Sequence, residues 1–499
     1  MEKEAIHGLK SLLQRFSATG RTMIDNFGQK WSNFKDLGIG KALAATVATH
    51  INSVSVGMCQ GYSAILLPQL QDPSSPLHVD TEEASWIASL GVISNPLGAI
   101  LSGLLMEWLG RKRAVQLVSI PFLLGWLIIA CCNNLFFLCI GRAITGVAIG
   151  MGAACYVYVA EISLPEHRGF LSAFGPIFVS LGVLLVYSFG YMFSWQVASA
   201  VCAVFAGISA FVMSLIPESP SWLLAHSKEK KARQAIVWFR GDNDQAAQEL
   251  ADLSESLREK NAENEGRGNQ WGQFLSPSVW KPFLILITFF AFQEGSGLYI
   301  MLYYAVNFFQ ESGSTMNKYV LCIIVASVRL VMSVVGTVAI KKFNRRTMAC
   351  VSGAGMALSM GVAGSYEFLY GRFEVASRPL PWLPQACIVA NVCASMLGML
   401  QLPWVMIGEL FPTAVRGIMS GVVSSLAYFF IFVIVKVYPQ CLRVLGVHGM
   451  MFTFAGISLL AIFYVVLFLP ETQGKTLLEI EARFRGEKKS QKEAEASKS

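Results

Sequence analysis

The sequence predicts an all-α membrane protein of twelve transmembrane helices, arranged as two six-helix bundles joined by a polar helical linker. Three observations carry this expectation. Of the 499 residues, 54% are hydrophobic and only 14% charged, with a mean hydropathy of +0.51. A water-soluble chain of that size cannot bury so many apolar side chains and still cover its surface with polar ones. Apolar stretches of about 20 residues, the length a helix needs to cross a bilayer, recur along the whole chain. A single long polar stretch, from Pro217 to Pro282, divides them into two sets of six.

Residues 1–45 read as a polar, basic tail with seven Lys or Arg up to Lys41. They are not an apolar run ending in a cleavage site, so no signal peptide is expected. The next six spans fall near 46–67, 86–106, 114–132, 136–160, 170–191 and 196–216, giving an N-terminal bundle over 46–216. The linker, 217–280, contains KEKKARQAIVWFRGDNDQAAQELADLSESLREK, whose helix-like apolar spacing in a charged background predicts helices outside the membrane. Six further spans near 281–304, 318–340, 347–369, 384–408, 418–438 and 449–469 make the C-terminal bundle over 281–469, and 470–499 is a second polar tail.

The basic residues set the orientation. Arg111-Lys112-Arg113, Lys341-Lys342, Arg345-Arg346, the linker and both tails fall on one side. The opposite loop, PQLQDPSSPLHVDTEEAS, has no Lys or Arg; only Arg372 and Arg378 argue back. By the positive-inside rule both termini are cytoplasmic. The net charge of +7 follows from this bias, and no motif supports a nucleic-acid partner. Eleven scattered cysteines without a Cys-x-x-Cys pair, and six dispersed histidines, predict neither metal nor cofactor.

The halves repeat one another. GLLMEWLGRKR (103–113) follows the second span and AIKKFNRR (339–346) the eighth. Glu161 precedes Arg168 after the fourth span as Glu409 precedes Arg416 after the tenth, and Pro217-Glu218 ends the sixth as Pro470-Glu471 ends the twelfth. Ordinary basic loops explain Arg111 and Arg345 but not the acids at Glu161, Glu218, Glu409 and Glu471. Parallel six-span repeats related by an axis along the membrane normal are a transporter architecture. The charges predict a cytoplasmic gate in which Arg111, Lys112, Glu161, Arg168 and Glu218 interlock with Arg345, Arg346, Glu409, Arg416 and Glu471 of the other half when the carrier faces outward.

GLLMEWLGRKRA (103–114), GRAITG (141–146), VAEISLPEHRG (159–169), PESPSWLL (217–224), GELFPTAVRG (408–417) and PETQGKTLLEIE (470–481) occur in this order over nearly the whole chain. Together they resemble the sugar porter family of the major facilitator superfamily, and within it the insect facilitated-trehalose-transporter-like branch. The resemblance implies alternating-access transport of a sugar (a hexose, a disaccharide such as trehalose, or a related polyol) across the plasma membrane. The partners it implies are the sugar and the lipid bilayer, with a monomeric transport unit and no enzymatic activity.

The substrate site departs from the family pattern. The seventh span reads QEGSGLYIMLYY at 293–304, with Glu294 at a usual Gln and Tyr299 at a usual Asn. Arg329 replaces an Asn in the eighth span. Pro176, Met396, Ala427, Tyr428 and Ile431 stand where hexose carriers have polar or Trp residues, while Pro403 and Trp404 are retained. The substrate-binding residues expected on this basis are Gln293, Glu294, Tyr299, Tyr303, Arg329, Trp404 and Tyr428. Glu294 and Arg329 lie 13 and 12 residues from their cytoplasmic ends, so both sit roughly 20 Å deep at 1.5 Å per residue. An isolated charge at mid-bilayer costs about 2.5–3.5 kcal/mol, which predicts that the two form an ion pair. Proton-driven relatives carry an Asp after Gly-Tyr in the first span; Gly61-Tyr62-Ser63 stands here, which favours facilitated diffusion. The alternatives are a proton-coupled symporter and a non-transporting sensor on the same fold.

Overall fold

The computed structural model describes residues 40–485 apart from 74, 242–243, 266–275, 312–316, 374–376, 413–414 and 474–476. The predicted N-terminal tail up to residue 39 and the end of the C-terminal tail from 486 lie outside the described residues. Every regular element among the described residues is a helix.

The first half runs α1 (Gly40–Leu70), α2 (Thr81–Ile93), α3 (Asn95–Leu109), α4 (Arg111–Cys131), α5 (Leu135–Met151), α6 (Ala153–Ile162), α7 (Pro165–Ser172), α8 (Phe174–Met192) and α9 (Trp195–Ser214). Helix α1 already begins inside the stretch expected to be tail. Spans two, four and five are each split, at Ser94, Gly152 and Ala173, so six spans use nine helices. Asp80 starts the second span with a capping box: its side chain accepts from Glu83 N, and Glu83 accepts from Asp80 N. Close packing inside this bundle depends on small residues. A Cβ at Gly57 would come within 1.9 Å of Val179 O on α8, and one at Gly150 within 1.9 Å of Asn95 O.

The linker folds as α10 (Pro220–Ala225), α11 (Glu229–Arg240) and α12 (Asp244–Glu265). The second half runs α13 (Pro277–Gly295), α14 (Ile300–Tyr303), α15 (Ala305–Glu311), α16 (Lys318–Lys342), α17 (Arg345–Tyr370), α18 (Leu383–Leu397), α19 (Leu402–Leu410), α20 (Arg416–Phe468) and α21 (Leu477–Arg485). Helix α20 has 53 residues, about 80 Å at 1.5 Å per residue and far longer than one bilayer crossing. Gly446, at φ 67°, breaks it into the two spans expected there.

The seventh span is discontinuous, and its sequence says why. Helix α13 stops at Gly295, and Gly297 takes φ 86°, a left-handed conformation that glycine alone adopts without strain. A Cβ there would also strike the Phe454 ring at 2.7 Å. The halves meet where α8 packs on α16, α20 on α2, and α14 and α15 on α1.

Candidate functional site

A small cavity of about 40 Å³ lies between the halves. Val183 and Tyr187 of α8 form one wall; the other comes from the break after α13, from α16 and from the end of α18. A buried water needs about 10–15 Å³ of such space, so the cavity holds a few waters and no pyranose until the halves move.

Of the seven expected binding residues, Tyr299 and Arg329 line this cavity. Gln293, on the last turn of α13, donates from Nε2 to Leu400 O at 2.9 Å and so ties the break in span seven to the break in span ten. Trp404 stacks edge-on against Phe290 at 5.0 Å and tilts against Tyr428 at 5.6 Å, which places the indole inside the C-terminal bundle. Tyr303 is buried beside the same break. Tyr187, Asn391 and Ser395 also face the cavity and were not singled out from sequence. An aromatic or small polar residue in an apolar span carries no periodic signal of its own.

Glu294 and Arg329 do not pair in this structure. Both Glu294 oxygens are buried without a hydrogen-bond partner, and Arg329 Nε is likewise unpartnered. The electrostatic neighbours of Glu294 are Tyr299, Tyr303 and Tyr428 and those of Arg329 are Tyr299, Tyr187 and Tyr303, so the two charges share Tyr299 and Tyr303 without meeting. Counting along each helix gives a depth but not a direction around the axis, so it does not settle whether two charges meet.

The repeated charges form two matching clasps. In the first half Arg111 Nε donates to Glu161 Oε1 at 2.9 Å, and an Arg111 Nη1 bond reaches Met106 O at 2.9 Å. Glu218 Oε1 accepts from Lys112 N at 2.8 Å, and Ser219 donates to Glu161. In the second half Arg345 Nη2 donates to Glu409 Oε1 at 2.9 Å, and its Nη1 reaches Ile340 O. Glu471 accepts from Arg345 N at 3.0 Å and Arg346 N at 3.1 Å, while Thr472 donates to Glu409 at 2.6 Å. Each role recurs, down to the carbonyl five residues before each arginine. Arg168 caps Ala160 O of its own half at 3.0 Å. The side chain of Arg416 lies outside the described ones. Among the described side chains these charges form one clasp within each half; the interlock between halves is expected of the outward-facing state.

Side-chain hydrogen bonds join the halves toward the opposite end. Tyr187 donates to Leu302 O at 2.8 Å, Asn307 to Gln71 Oε1 at 3.1 Å, and Lys436 Nζ to Ser85 Oγ at 2.7 Å. Lys436 Nζ also sits 4.0 Å from the centre of the Trp86 ring, with Glu82 and Asp80 near it. Sequence reading passed over Lys436, because a lysine at the end of a span looks like an ordinary interfacial residue. Within the first half Arg142, 1% exposed, gives its guanidinium to Ser63 Oγ at 2.6 Å, Ile87 O at 3.3 Å and Cys59 O at 3.4 Å.

A family model described as "Sugar (and other) transporter" matches residues 41–484. The facilitated trehalose transporter Tret1 of Drosophila mojavensis is 30% identical over 444 residues, which is 89% of this chain and 51% of that protein. Tret1 of Anopheles gambiae is 29% identical over 444 residues, 89% of this chain and 56% of its own. The chain therefore spans about half the length of the curated relatives it matches. Among solved structures, the proton:xylose symporter XylE bound to 6-bromo-6-deoxy-D-glucose gives a TM-score of 0.71 at 20% identity, covering 89% of this chain and 99% of that one. The inward open conformation of the xylose transporter XylE from E. coli gives 0.72, also at 20% identity and with the same coverage. These likenesses establish the major facilitator fold.

Proposed function

The chain belongs to the Sugar (and other) transporter family, and from that premise we propose that it is an alternating-access carrier of a sugar or sugar derivative working by facilitated diffusion. The observation that carries this reading is the cavity between the two halves, walled by α8 on one side and by the broken seventh span on the other. Unwound backbone at mid-membrane is tolerated where it lines such a cavity, and it leaves backbone groups free for a substrate. The two clasps hold each half rigid at the basic end, so that the halves rock as units. Tyr187, Asn307 and Lys436 hold the opposite end closed. In the outward-facing state the clasped ends meet and close the basic side, which makes Arg111, Lys112, Glu161, Arg168, Glu218, Arg345, Arg346, Glu409, Arg416 and Glu471 the inner gate.

The charge bias supports a cytoplasmic basic end with both termini on that side; the plasma-membrane location and the transport unit of one chain follow from the family resemblance. Facilitated diffusion is favoured by Ser63, which accepts from Arg142 at 2.6 Å where proton-driven relatives place an acid. A serine hydroxyl does not titrate usefully in the physiological range. Reconstituted full-length protein should show saturable, trans-accelerated uptake of a labelled sugar. Ligand-induced stabilisation without any flux would instead favour the sensor reading.

A further inference from the structure

We propose that the substrate of this cavity carries a single negative charge, a carboxylate on a sugar skeleton such as a hexuronate. The proposal rests on the carrier reading and narrows its substrate class. Arg329 reaches the cavity from α16, where its Nε is buried without a partner and its guanidinium makes no ion pair or hydrogen bond among the described residues. No acidic side chain lines the cavity; Glu294, buried close by, shares Tyr299 and Tyr303 with Arg329 as neighbours but makes no ion pair with it, and both its oxygens lack a hydrogen-bond partner.

The other polar walls are mostly spoken for. Tyr187 donates to Leu302 O, Ser395 to Val392 O at 2.8 Å, and Asn391 to Met356 O at 3.5 Å. The remaining lining is Val183, Leu298, Val325, Ala326, Met396 and their like. A guanidinium held in apolar surroundings is stable only when an anion completes it, and its planar fork fits a carboxylate through two parallel hydrogen bonds. With one cation in the wall and no second, a monoanion neutralises the site, whereas a phosphate dianion would leave a charge uncompensated. Tyr299, beside Arg329 on the unwound segment, supplies a hydroxyl for the sugar part.

The test uses the full chain in proteoliposomes, with labelled glucuronate and glucose as probes and valinomycin to impose a potassium diffusion potential. Wild type is expected to take up glucuronate at least tenfold more efficiently than glucose, and each tenfold of glucuronate accumulation to follow about 60 mV of inside-positive potential. Glucose flux should be indifferent to that potential. Arg329→Gln should abolish potential-driven glucuronate uptake, and Arg329→Lys should retain part of it. Saturable glucose uptake that glucuronate neither competes with nor exceeds would overturn the anionic substrate while leaving the carrier intact. If neither sugar moves, the carrier reading fails and thermal shift decides the site. Stabilisation of wild type by glucuronate but not by glucose, lost in Arg329→Gln, upholds the anion site; no such stabilisation overturns it.

Discussion

Lys436 and Trp86 offer a direct measure of how firmly the end opposite the clasps is shut. Lys436→Met keeps an apolar stem of similar length but removes the ammonium that sits 4.0 Å from the Trp86 ring centre and 2.7 Å from Ser85 Oγ. A partly desolvated cation–π contact contributes about 1 kcal/mol. The hydrogen bond adds about 1 kcal/mol more. Ser85 is not stranded by the change, because its hydroxyl already donates to Glu82 O at 2.7 Å. When the halves separate, the ammonium regains water, which offsets part of both terms. The net loss should therefore be about 1–2 kcal/mol, a shift of roughly 5–30-fold toward the outward-facing state. Spin labels on His78→Cys and Arg443→Cys, in a background without other accessible thiols, report the separation by double electron–electron resonance. Lys436→Met should enrich the longer distance by that factor, Lys436→Arg should not, and Trp86→Leu combined with Lys436→Met should be less than additive. An unchanged distance distribution in correctly folded Lys436→Met would refute the latch.

Other outcomes are set by the same geometry. Gly297→Ala must adopt a left-handed conformation against the Phe454 ring at 2.7 Å and should lower stability by about 1–3 kcal/mol, whereas Gly295→Ala, with Ile457 no nearer than 3.3 Å, should be mild; equal melting temperatures would contradict the assignment. Arg111→Gln and Arg345→Gln break equivalent clasps and should lower thermal stability by similar amounts, so a loss confined to one would break the equivalence. Trp404→Leu should impair flux more than expression, since the indole packs on Phe290 and Tyr428 inside the bundle. Uptake by wild type should be flat between about pH 5 and 8, because the residue after Gly61-Tyr62 is a serine; a pH dependence abolished by Glu294→Gln would move the reading to a proton-coupled carrier.

Much of this molecule was legible in the chain, and the illegible parts share a cause. Hydropathy and loop charge report position along the membrane normal, so the twelve crossings and the equivalence of Arg111 with Arg345 and of Glu161 with Glu409 could be read directly. The Gly295-Ser296-Gly297 break was not read from the sequence, although two glycines inside an apolar run were the signal that could have shown it. Sequence spacing does not report direction around a helix axis. It therefore put Glu294 and Arg329 at one depth without showing that, although both lie near Tyr299 and Tyr303, they do not pair. A repeat likewise identifies which residues play the same part, not whether partners come from the same copy. Lys436 escaped for a related reason, because its significance lies in Trp86 and Ser85 on another span.

The altered positions of the site acquire a common meaning once their surroundings are known. Met396 lines the cavity where hexose carriers often have an acid, and Ala427 and Ile431 are buried at 0% and 1% exposure where amides are usual. A neutral pyranose closed against the apolar lining of Val183, Leu298, Val325, Ala326 and Met396 would leave hydroxyls unpaired at about 1–3 kcal/mol each. The same walls raise the attraction between Arg329 and an anion, because charges interact more strongly where water is excluded. On the proposal of an anionic substrate, loss of amides and gain of one guanidinium are two parts of a single change in selectivity, away from recognising a ring of hydroxyls and toward recognising a charge. Restoring amides alone, as in Ala427→Asn with Ile431→Asn, should leave glucuronate preferred over glucose. Only the further change Arg329→Asn should reverse the order in the uptake assay. A reversal produced by the two amides with Arg329 intact would show that the hydroxyl contacts, not the charge, set the selectivity.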